Sequence, residues 1–198
     1  MHKPARQDLN AIVDLVPAGA KVLDLGCGDG ALLARLVAEK QASARGVELS
    51  EDNVRACIAR GLSVRHGNIE EGLADYSDGS FDMVILSQTL AYLNDPVPVT
   101  SEMLRVGRHA VITFDNAACW RARWRALCGG GAGSTLVSGE PRVRSITPDQ
   151  FWAFARQLRA RIEQGVFLGR RGPITWWPAW RAPMAVFVLT RNEEEKQA

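Results

Sequence analysis

The chain has 198 residues, of which 46% are hydrophobic and 23% are charged. A chain of this length buries roughly 70% of its unfolded surface on folding, so it can form a core without disulfides or metals. Its composition excludes a disordered, collagen-like or low-complexity protein. No apolar run approaches the roughly 20 residues that span a bilayer, and the first residues lack the apolar stretch of a signal peptide. We therefore expect a single cytoplasmic domain over residues 1–198, with no membrane segment.

Charge is unevenly distributed along the chain, although the net charge is only +2. Residues 1–116 carry 11 basic and 16 acidic side chains, a net −5, whereas residues 117–191 carry 12 arginines and 3 acids, a net +9. A basic surface attracts an anionic ligand, an acidic partner or a nucleic acid. A solvated arginine-rich face without a specific partner explains the same count, so both interpretations stay open.

The front half of the chain alternates between strand-like and helix-like segments. Ser50 is placed to cap the helix between the second and third strands, and Gly61 is placed to end it. Strands separated by helices predict right-handed crossovers and a parallel sheet. From apolar periodicity we predict strands at 22–25, 44–49, 62–66, 81–86 and 109–114, and helices at 31–40 and 97–106 besides the one after Ser50.

The segment 115–146 is less regular and is expected to form a variable lid or insertion. Trp120, Trp124 and Leu127 have the spacing of a short helical stripe. For Trp120 and Trp124 we expect packing in the core rather than stacking on a substrate. The glycine-rich residues 129–134 indicate a flexible loop by composition.

Regular elements return after this segment. Thr147-Pro148-Asp149 is typical of a helix start, with proline at the first helical position. Residues 160–168 and 183–190 are predicted to be the last two strands.

The four cysteines give no sign of a metal site. Cys27, Cys57, Cys119 and Cys128 contain no C-x-x-C pair and do not cluster with the three histidines. Neither a zinc site nor a disulfide framework is predicted. We expect the cysteines, Cys57 above all, to act as small buried hydrophobes.

The strongest functional signal is the glycine loop at 22–30. It follows a strand and opens a helix, so its glycines let the backbone approach a ligand while helix N–H groups point outward. Glu48 ends the second strand, 22 residues after Gly26. That spacing places a carboxylate where it can accept hydrogen bonds from both hydroxyls of a ribose.

Two nucleotide classes fit such a loop. A dinucleotide motif needs glycine or alanine at its third position, which here is Ala31, but Asp24 and Asp29 would repel a pyrophosphate. S-adenosylmethionine carries no phosphate and offers a cationic amino group and sulfonium. Acids together with free N–H groups suit it, so we favour S-adenosylmethionine. A tight turn with a vestigial pocket is the alternative.

The nonapeptide VLDLGCGDG at 22–30 resembles the glycine motif of class I (Rossmann-like) S-adenosylmethionine-dependent methyltransferases. The resemblance implies an α/β fold, a doubly wound, mostly parallel seven-stranded sheet flanked by helices, with the last strand antiparallel. It places Asn68 where the family has an acid that bonds adenine, and the amide oxygen of Asn68 can still accept that bond. The implied cofactor-binding residues are Asp24, Gly26, Cys27, Gly28, Gly30, Glu48, Leu49, Asn68, Ile69, Ser87 and Gln88.

Within that superfamily the chain is similar to the methionine biosynthesis protein MetW family. The stretches 6–9, 24–30, 81–90 and 102–108 carry the resemblance. It implies a link to methionine biosynthesis and a homoserine O-acyltransferase as a possible partner.

The sequence offers no decisive catalytic base. Methyl transfer depends mainly on positioning, and a base helps only if the acceptor loses a proton. Tyr92 and Asn116 are the candidates for catalysis, because they follow strands four and five, where ligands gather in such sheets. Asp115 and Trp120 lie in the same region, whereas His109 begins a strand at the wrong edge.

Two functions remain open. One is a small-molecule methyltransferase with a lid at 115–146. The other is a non-catalytic accessory protein that binds a partner through a Trp/Arg-rich C-terminal surface, since tryptophan and arginine dominate binding hot spots. RNA binding by stacked aromatics is a third and weaker interpretation, because no recognised module is present.

Overall fold

A single eight-stranded sheet organises the residues that the computed structural model describes, which are 7–128, 143–169 and 172–192. The strand order is β3-β2-β1-β4-β5-β8-β6-β7. β1 to β5 are mutually parallel, and β8 runs antiparallel between β5 and β6. The strands are β1 (Lys21–Leu25), β2 (Ser43–Glu48), β3 (Ser63–His66), β4 (Phe81–Ser87), β5 (Gly107–Asp115), β6 (Ala160–Gly169), β7 (Gly172–Pro173) and β8 (Met184–Arg191).

The predicted fold class is confirmed, including the antiparallel last strand. The predicted number of seven strands is wrong, because β7 adds an eighth. β7 has two residues, which pair with Leu168 and Gly169 at the end of β6. A two-residue strand has no alternation of apolar and polar positions, so periodicity could not detect it.

Helices cover both faces of the sheet. Apolar side chains of α1 and α2 pack on one face and those of α4 and α6 pack on the other. Helix α1 was not predicted. The helices are α1 (Gln7–Leu15), α2 (Ala31–Lys40), α3 (Glu51–Ala59), α4 (Pro96–Val106), α5 (Trp120–Leu127), α6 (Pro148–Gln157) and α7 (Pro178–Arg181). None of the described helices is both long and apolar enough to cross a membrane.

The predicted helix ends match local side-chain chemistry. The Ser50 side chain accepts a hydrogen bond from the N–H of Asn53 at the start of α3, and Gly61 has a φ of 74° just after that helix. Thr147 and Gln150 form a reciprocal capping box at the start of α6. Both helix starts are therefore fixed by short-range contacts.

The cysteines follow the prediction with one exception. Cys27, Cys57 and Cys119 are buried, but Cys128 is exposed at the end of α5. Helix α5 buries none of its side chains, which explains why a cysteine at its C-terminal cap lies at the surface.

Candidate functional site

The glycine loop lies at the carboxyl ends of β1 and β2. Gly26, Gly28 and Gly30 have φ values of 70°, 58° and 75°, a region that side chains rarely adopt. A Cβ on Gly26 would lie 2.9 Å from Oγ1 of Thr89, and one on Gly30 would collide with Leu62 and Cys57. A Cβ on Gly28 would meet nothing within 4 Å. Two of the glycines therefore allow close packing, whereas the space above Gly28 is open.

Glu48 is buried against this loop. Its Oε2 accepts a hydrogen bond of 2.8 Å from the N–H of Gly28, and its Oε1 accepts one of 2.9 Å from the N–H of Ser50. Asn53 Nδ2 lies 3.5 Å from the same Oε1. A carboxylate oxygen has two lone pairs, so the group keeps capacity for a further donor.

Negative charge surrounds the loop on other sides as well. Asp24 is buried at the end of β1, and Asp29 Oδ1 accepts a hydrogen bond of 3.3 Å from the N–H of Ala31 at the start of α2. Burial raises the pKa of the Cys27 thiol, and the carboxylates of Asp24 and Glu48 raise it further. The N–H groups of Gly28 in the loop and of Ala31 at the start of α2 are thus already bound by carboxylates, which disfavours a phosphate at this position.

The predicted adenine-side residues lie at the ends of β2 and β3. Leu49 exposes its side chain, and its carbonyl oxygen is 2.9 Å from Nε2 of His66. Asn68 Oδ1 accepts a hydrogen bond of 3.0 Å from the N–H of Glu70, which begins a short 3-10 helix. Ile69 is buried in that helix. The Asn68 oxygen therefore has a structural bond beside any bond to a ligand.

A polar cluster that includes Ser87 and Gln88 lies where β4 ends. Ser87 Oγ donates a hydrogen bond of 2.8 Å to Oδ2 of Asp8, a fully buried residue of α1. Gln88 has a φ of 58°, and its N–H donates to both the carbonyl and Oγ1 of Thr113. Gln88 Nε2 is buried with no hydrogen-bond partner among the described residues. Thr89 links this cluster to the glycine loop through its contact with Gly26.

Asp8 and Thr113 were not predicted as site residues. Asp8 lies in the stretch 6–9 that carries the family resemblance, and Leu9, Ile12 and Val13 of α1, with Val16 just after it, form one buried apolar face. That i, i+3, i+4, i+7 pattern was the signal for a helix that would bring Asp8 to the sheet.

The two catalytic candidates have different environments. Asn116 is buried, and its Nδ2 donates to the carbonyls of Ala179 and Ala182 at 2.7 and 2.8 Å while its Oδ1 accepts from the N–H of Ala118. The Asn116 amide therefore holds two chain segments together. Tyr92 is exposed in a short 3-10 helix after β4. Of the two candidates, therefore, only Tyr92 is exposed.

Asp115 at the end of β5 has an exposed side chain, but its carboxyl is partly desolvated by the surrounding protein. Desolvation of its carboxyl raises the pKa above its ordinary value, and the negative charge of Asp8 raises it further. By contrast, His109 lies at the other end of the same strand, with Nδ1 3.3 Å from the Asp82 carbonyl and Nε2 3.3 Å from Glu163.

A mostly apolar cavity of about 460 Å³ opens beside the end of β4. Leu90, the residue after Thr89, lines one side, and Phe151 and Phe154 of α6 line another. Arg144 and Gln150 supply polar groups to its wall. Such a space is of the size that small-molecule ligands occupy.

The expected core packing of Trp120 and Trp124 is wrong. Both side chains are exposed on α5, as is Leu127. An aromatic stripe at helical spacing indicates one helix face, but it does not show whether the rest of the domain covers that face. The loop predicted at 129–134 lies outside the described residues.

Residues 6–189 match the family model described as "Methionine biosynthesis protein MetW". The chain belongs to this family. It is 40% identical over 119 residues to the "Bifunctional methionine biosynthesis protein MetXA/MetW" of Rhodopirellula baltica, a match that covers 56% of this chain and 19% of that protein.

Other relatives are named as methyltransferases. The chain is 36% identical over 102 residues to a ubiquinone biosynthesis O-methyltransferase of Methylococcus capsulatus, a match over 49% of this chain and 43% of that protein. The chain therefore covers well under two thirds of the length of either curated relative. A solved SAM-dependent methyltransferase of Methanosarcina mazei superposes with a TM-score of 0.69 at 16% identity, covering 91% of this chain and 96% of that one. This likeness establishes the fold.

Proposed function

We propose that this MetW-family chain binds S-adenosylmethionine at its glycine loop. The observation that carries the proposal is the contact of Glu48 Oε2 with the N–H of Gly28 at 2.8 Å. This contact occupies a loop N–H with a carboxylate, so a pyrophosphate would lose that donor and meet a like charge. A ligand with a cationic sulfonium and amino group gains from the same charge.

The residues present fit this cofactor. The space above Gly28 is open to a ligand, and Gln88 Nε2 is a buried donor in need of an acceptor. Glu48 would accept from the ribose, and Asp24 would attract the cationic groups. The remaining residues that would hold the cofactor are Gly26, Cys27, Gly30, Leu49, Asn68, Ile69 and Ser87. When bound, S-adenosylmethionine supplies an electrophilic methyl group.

The biological role that we favour is support of a homoserine O-acyltransferase. The relative from Rhodopirellula baltica bears both the MetXA and the MetW names in one chain, which supports physical association of the two activities. The commitment of Asn116 to backbone carbonyls, which leaves Tyr92 as the one exposed candidate, agrees with a role that needs little acid–base chemistry.

Methyl transfer to a small molecule is the second candidate. The cavity lined by Leu90, Phe151 and Phe154 favours it, because that cavity lies next to the end of β4 and fits an apolar acceptor. The similarity to an O-methyltransferase agrees with this activity.

A pair of glycine substitutions tests cofactor binding. Gly28→Ala and Gly19→Ala place a methyl group at φ values of 58° and 73°, with nothing within 4 Å in either case. Both variants should lose about 1–2 kcal/mol in the free energy of unfolding. Only Gly28→Ala should raise the Kd for S-adenosylmethionine, by at least tenfold in titration calorimetry. Binding of NAD⁺ in preference to S-adenosylmethionine, or equal affinity in the two variants, would refute the proposed site.

A second assay separates the two roles. The rate of homoserine acylation should rise when this chain is added to a homoserine O-acyltransferase from the same organism. If the chain instead releases S-adenosylhomocysteine in the presence of small-molecule acceptors and leaves acylation unchanged, the methyltransferase is the correct role.

A further inference from the structure

Five tryptophans around α5 and α7 form one exposed aromatic surface. The ring centroids of Trp120 and Trp180 are 6.3 Å apart. The ring centroid of Trp177 lies 5.6 Å from that of Trp176 and 6.3 Å from that of Trp180. Trp124 follows Trp120 by one turn of α5, on the same side of the helix. The exposed fractions of these five residues range from 41% to 67%. We call this surface, together with Arg121, Arg123, Arg125 and Arg181, the Trp/Arg face.

The area of the Trp/Arg face is that of a protein interface. A fully exposed indole side chain presents about 250 Å², so the five exposed fractions give roughly 700 Å² of indole surface. The largest apolar patch of a typical monomer is about 300–600 Å². One side of a standard protein–protein interface buries about 800 Å². The aromatic surface is therefore more than a monomer usually leaves open.

The charge of the Trp/Arg face is uniformly positive. The guanidinium of Arg121 lies 5.3 Å from the ring centre of Trp120, and that of Arg181 lies 5.5 Å from Trp176. The segments 117–128 and 176–181 contain no aspartate or glutamate. Covering these arginines with a neutral surface would leave them desolvated and unpaired, which is costly. An occupant must therefore bring anionic groups, which on the surface of a protein are carboxylates.

The α7 part of the Trp/Arg face is bonded to the carboxyl end of β5. Asn116 donates hydrogen bonds to the carbonyls of Ala179 and Ala182, which fixes α7 and the turn after it. Trp177 has a φ of 50°, which is unusual for a bulky residue and is maintained here at the surface. Ordered presentation lowers the entropy that association costs.

We propose that the Trp/Arg face is the docking surface for an acidic patch of a partner protein, and that this partner is the homoserine O-acyltransferase of the proposed function, on which the inference rests. The indole planes are inclined to one another by 32°, 40° and 78°. Inclined rings form clefts that receive individual side chains, as hot-spot residues do. Because Asn116 binds α7, the face lies beside the end of β5, at the same carboxyl edge of the sheet as the proposed cofactor site.

Two double variants test the docking surface in the full-length chain. Trp124→Ala with Trp177→Asn removes two indoles, and asparagine tolerates the left-handed backbone at 177. Arg121→Glu with Arg181→Glu reverses two charges. Each should raise the Kd for the homoserine O-acyltransferase at least tenfold in titration calorimetry. The charge-reversal loss should diminish at high salt.

Matched controls lie away from the face. Trp152→Ala removes an exposed indole from α6, and Arg108→Glu reverses an exposed charge near the amino end of β5. Both should leave the Kd within twofold of the wild-type value, and thermal melting checks that every variant is folded.

The outcomes separate the docking surface from the proposed function. If the wild-type chain forms the complex and the two face variants bind equally well, the docking surface is refuted while the partnership stands. If the wild-type chain forms no complex, the accessory role fails and the docking surface with it. If the two face variants keep their affinity for the acyltransferase but lose binding to anionic phospholipid vesicles or to an oligouridine, the face binds a lipid surface or RNA. That result would overturn our proposal.

Discussion

The glycine loop and the Trp/Arg face lie on the same carboxyl edge of the sheet but are built in opposite ways. At the loop, the carboxylate of Glu48 is buried and bonded by backbone N–H groups, and a Cβ on Gly30 would have no room. At the Trp/Arg face, α5 buries none of its side chains, and Trp124 is mostly exposed. The loop is therefore tightly packed and bonded within itself, whereas the face has the composition of a surface that another molecule covers.

The proposed cofactor site and the proposed docking surface therefore occupy separate regions of one fold. Negative charge gathers at the loop end of the edge and positive charge at α5 and α7, in agreement with the division of charge between residues 1–116 and 117–191. Substitutions at the loop should therefore lower the free energy of unfolding, whereas substitutions at the Trp/Arg face should mainly lower the affinity for a partner.

The largest effect on stability is expected for Gly30→Ala. The new Cβ would lie 2.5 Å from Cδ1 of Leu62 and 2.8 Å from Sγ of Cys57, at a φ of 75°. We expect a loss of about 3 kcal/mol in the free energy of unfolding, measured in urea, from backbone strain and overpacking together. Gly61→Ala is the control, because its φ is 74° but nothing lies within 4 Å. Equal losses in both variants would show that the loop is not tightly packed.

The next largest loss of stability is expected for Arg105→Met, which tests whether buried hydrogen bonds stabilise the fold beyond the loop. Arg105 donates hydrogen bonds to Glu102 and Asp78 and to the carbonyls of Leu73 and Tyr76. Removing these bonds should cost about 2–3 kcal/mol at pH 7. Arg55→Met is the control, because the carboxylate partners of Arg55 are exposed and such pairs contribute under about 1 kcal/mol.

The stability difference between wild type and Arg105→Met should also depend on pH. The hydrogen bond from Arg105 lowers the pKa of Glu102 below its ordinary value. The stabilisation from Glu102 is therefore present above about pH 4.3 and is lost as the pH falls through the lowered pKa. The stability difference between wild type and Arg105→Met should shrink in that range. A constant difference down to pH 2.5 would contradict the role assigned to Glu102.

Much of the fold was predictable because its signals are local. The capping side chains of Ser50 and Thr147 act within three residues of each helix start. β4 is an almost continuous apolar run, as a strand buried on both faces should be. Residues 22–31 combine a strand, left-handed glycines and a helix start within ten residues. Each of these patterns needs no knowledge of the distant chain.

What the sequence could not predict depends on contacts between distant segments. Asp8 meets Ser87 across 79 positions of the chain, and no local pattern links them. Asn116 was a predicted candidate for catalysis, but its amide is held by carbonyls more than 60 positions away. Whether Trp120 is covered is likewise a property of the whole surface. The role of each of these residues depends on which distant segment lies against it, and a local sequence pattern does not contain that information.

A smaller effect is expected for Ser87→Ala, at the junction between α1 and the end of β4. The substitution removes the 2.8 Å hydrogen bond to the buried Asp8 carboxylate. We expect a loss of about 1–2 kcal/mol in urea unfolding. Ser63→Ala, on the exposed edge strand β3, should change stability by less than about 0.5 kcal/mol. If Ser87→Ala is equally neutral, α1 is not anchored to the site through this bond.

The smallest effect is expected for Asp115→Asn, at the boundary between the cofactor site and the Trp/Arg face. Desolvation and the charge of Asp8 raise the Asp115 pKa, so the ionised carboxyl is less favourable in the folded chain than in the unfolded one. The penalty is absent below the unfolded pKa of about 3.9 and complete above the raised pKa. Because the Asp115 side chain is exposed and solvent screens part of this penalty, asparagine should raise the Tm only slightly at pH 7, by about 1 °C or less, and leave it unchanged at pH 3. Asp52→Asn, on the exposed start of α3, should show no such rise. A lower Tm for Asp115→Asn at pH 7 would mean that the carboxylate is stabilised by a positive group, and that the charge of the Trp/Arg face reaches the end of β5.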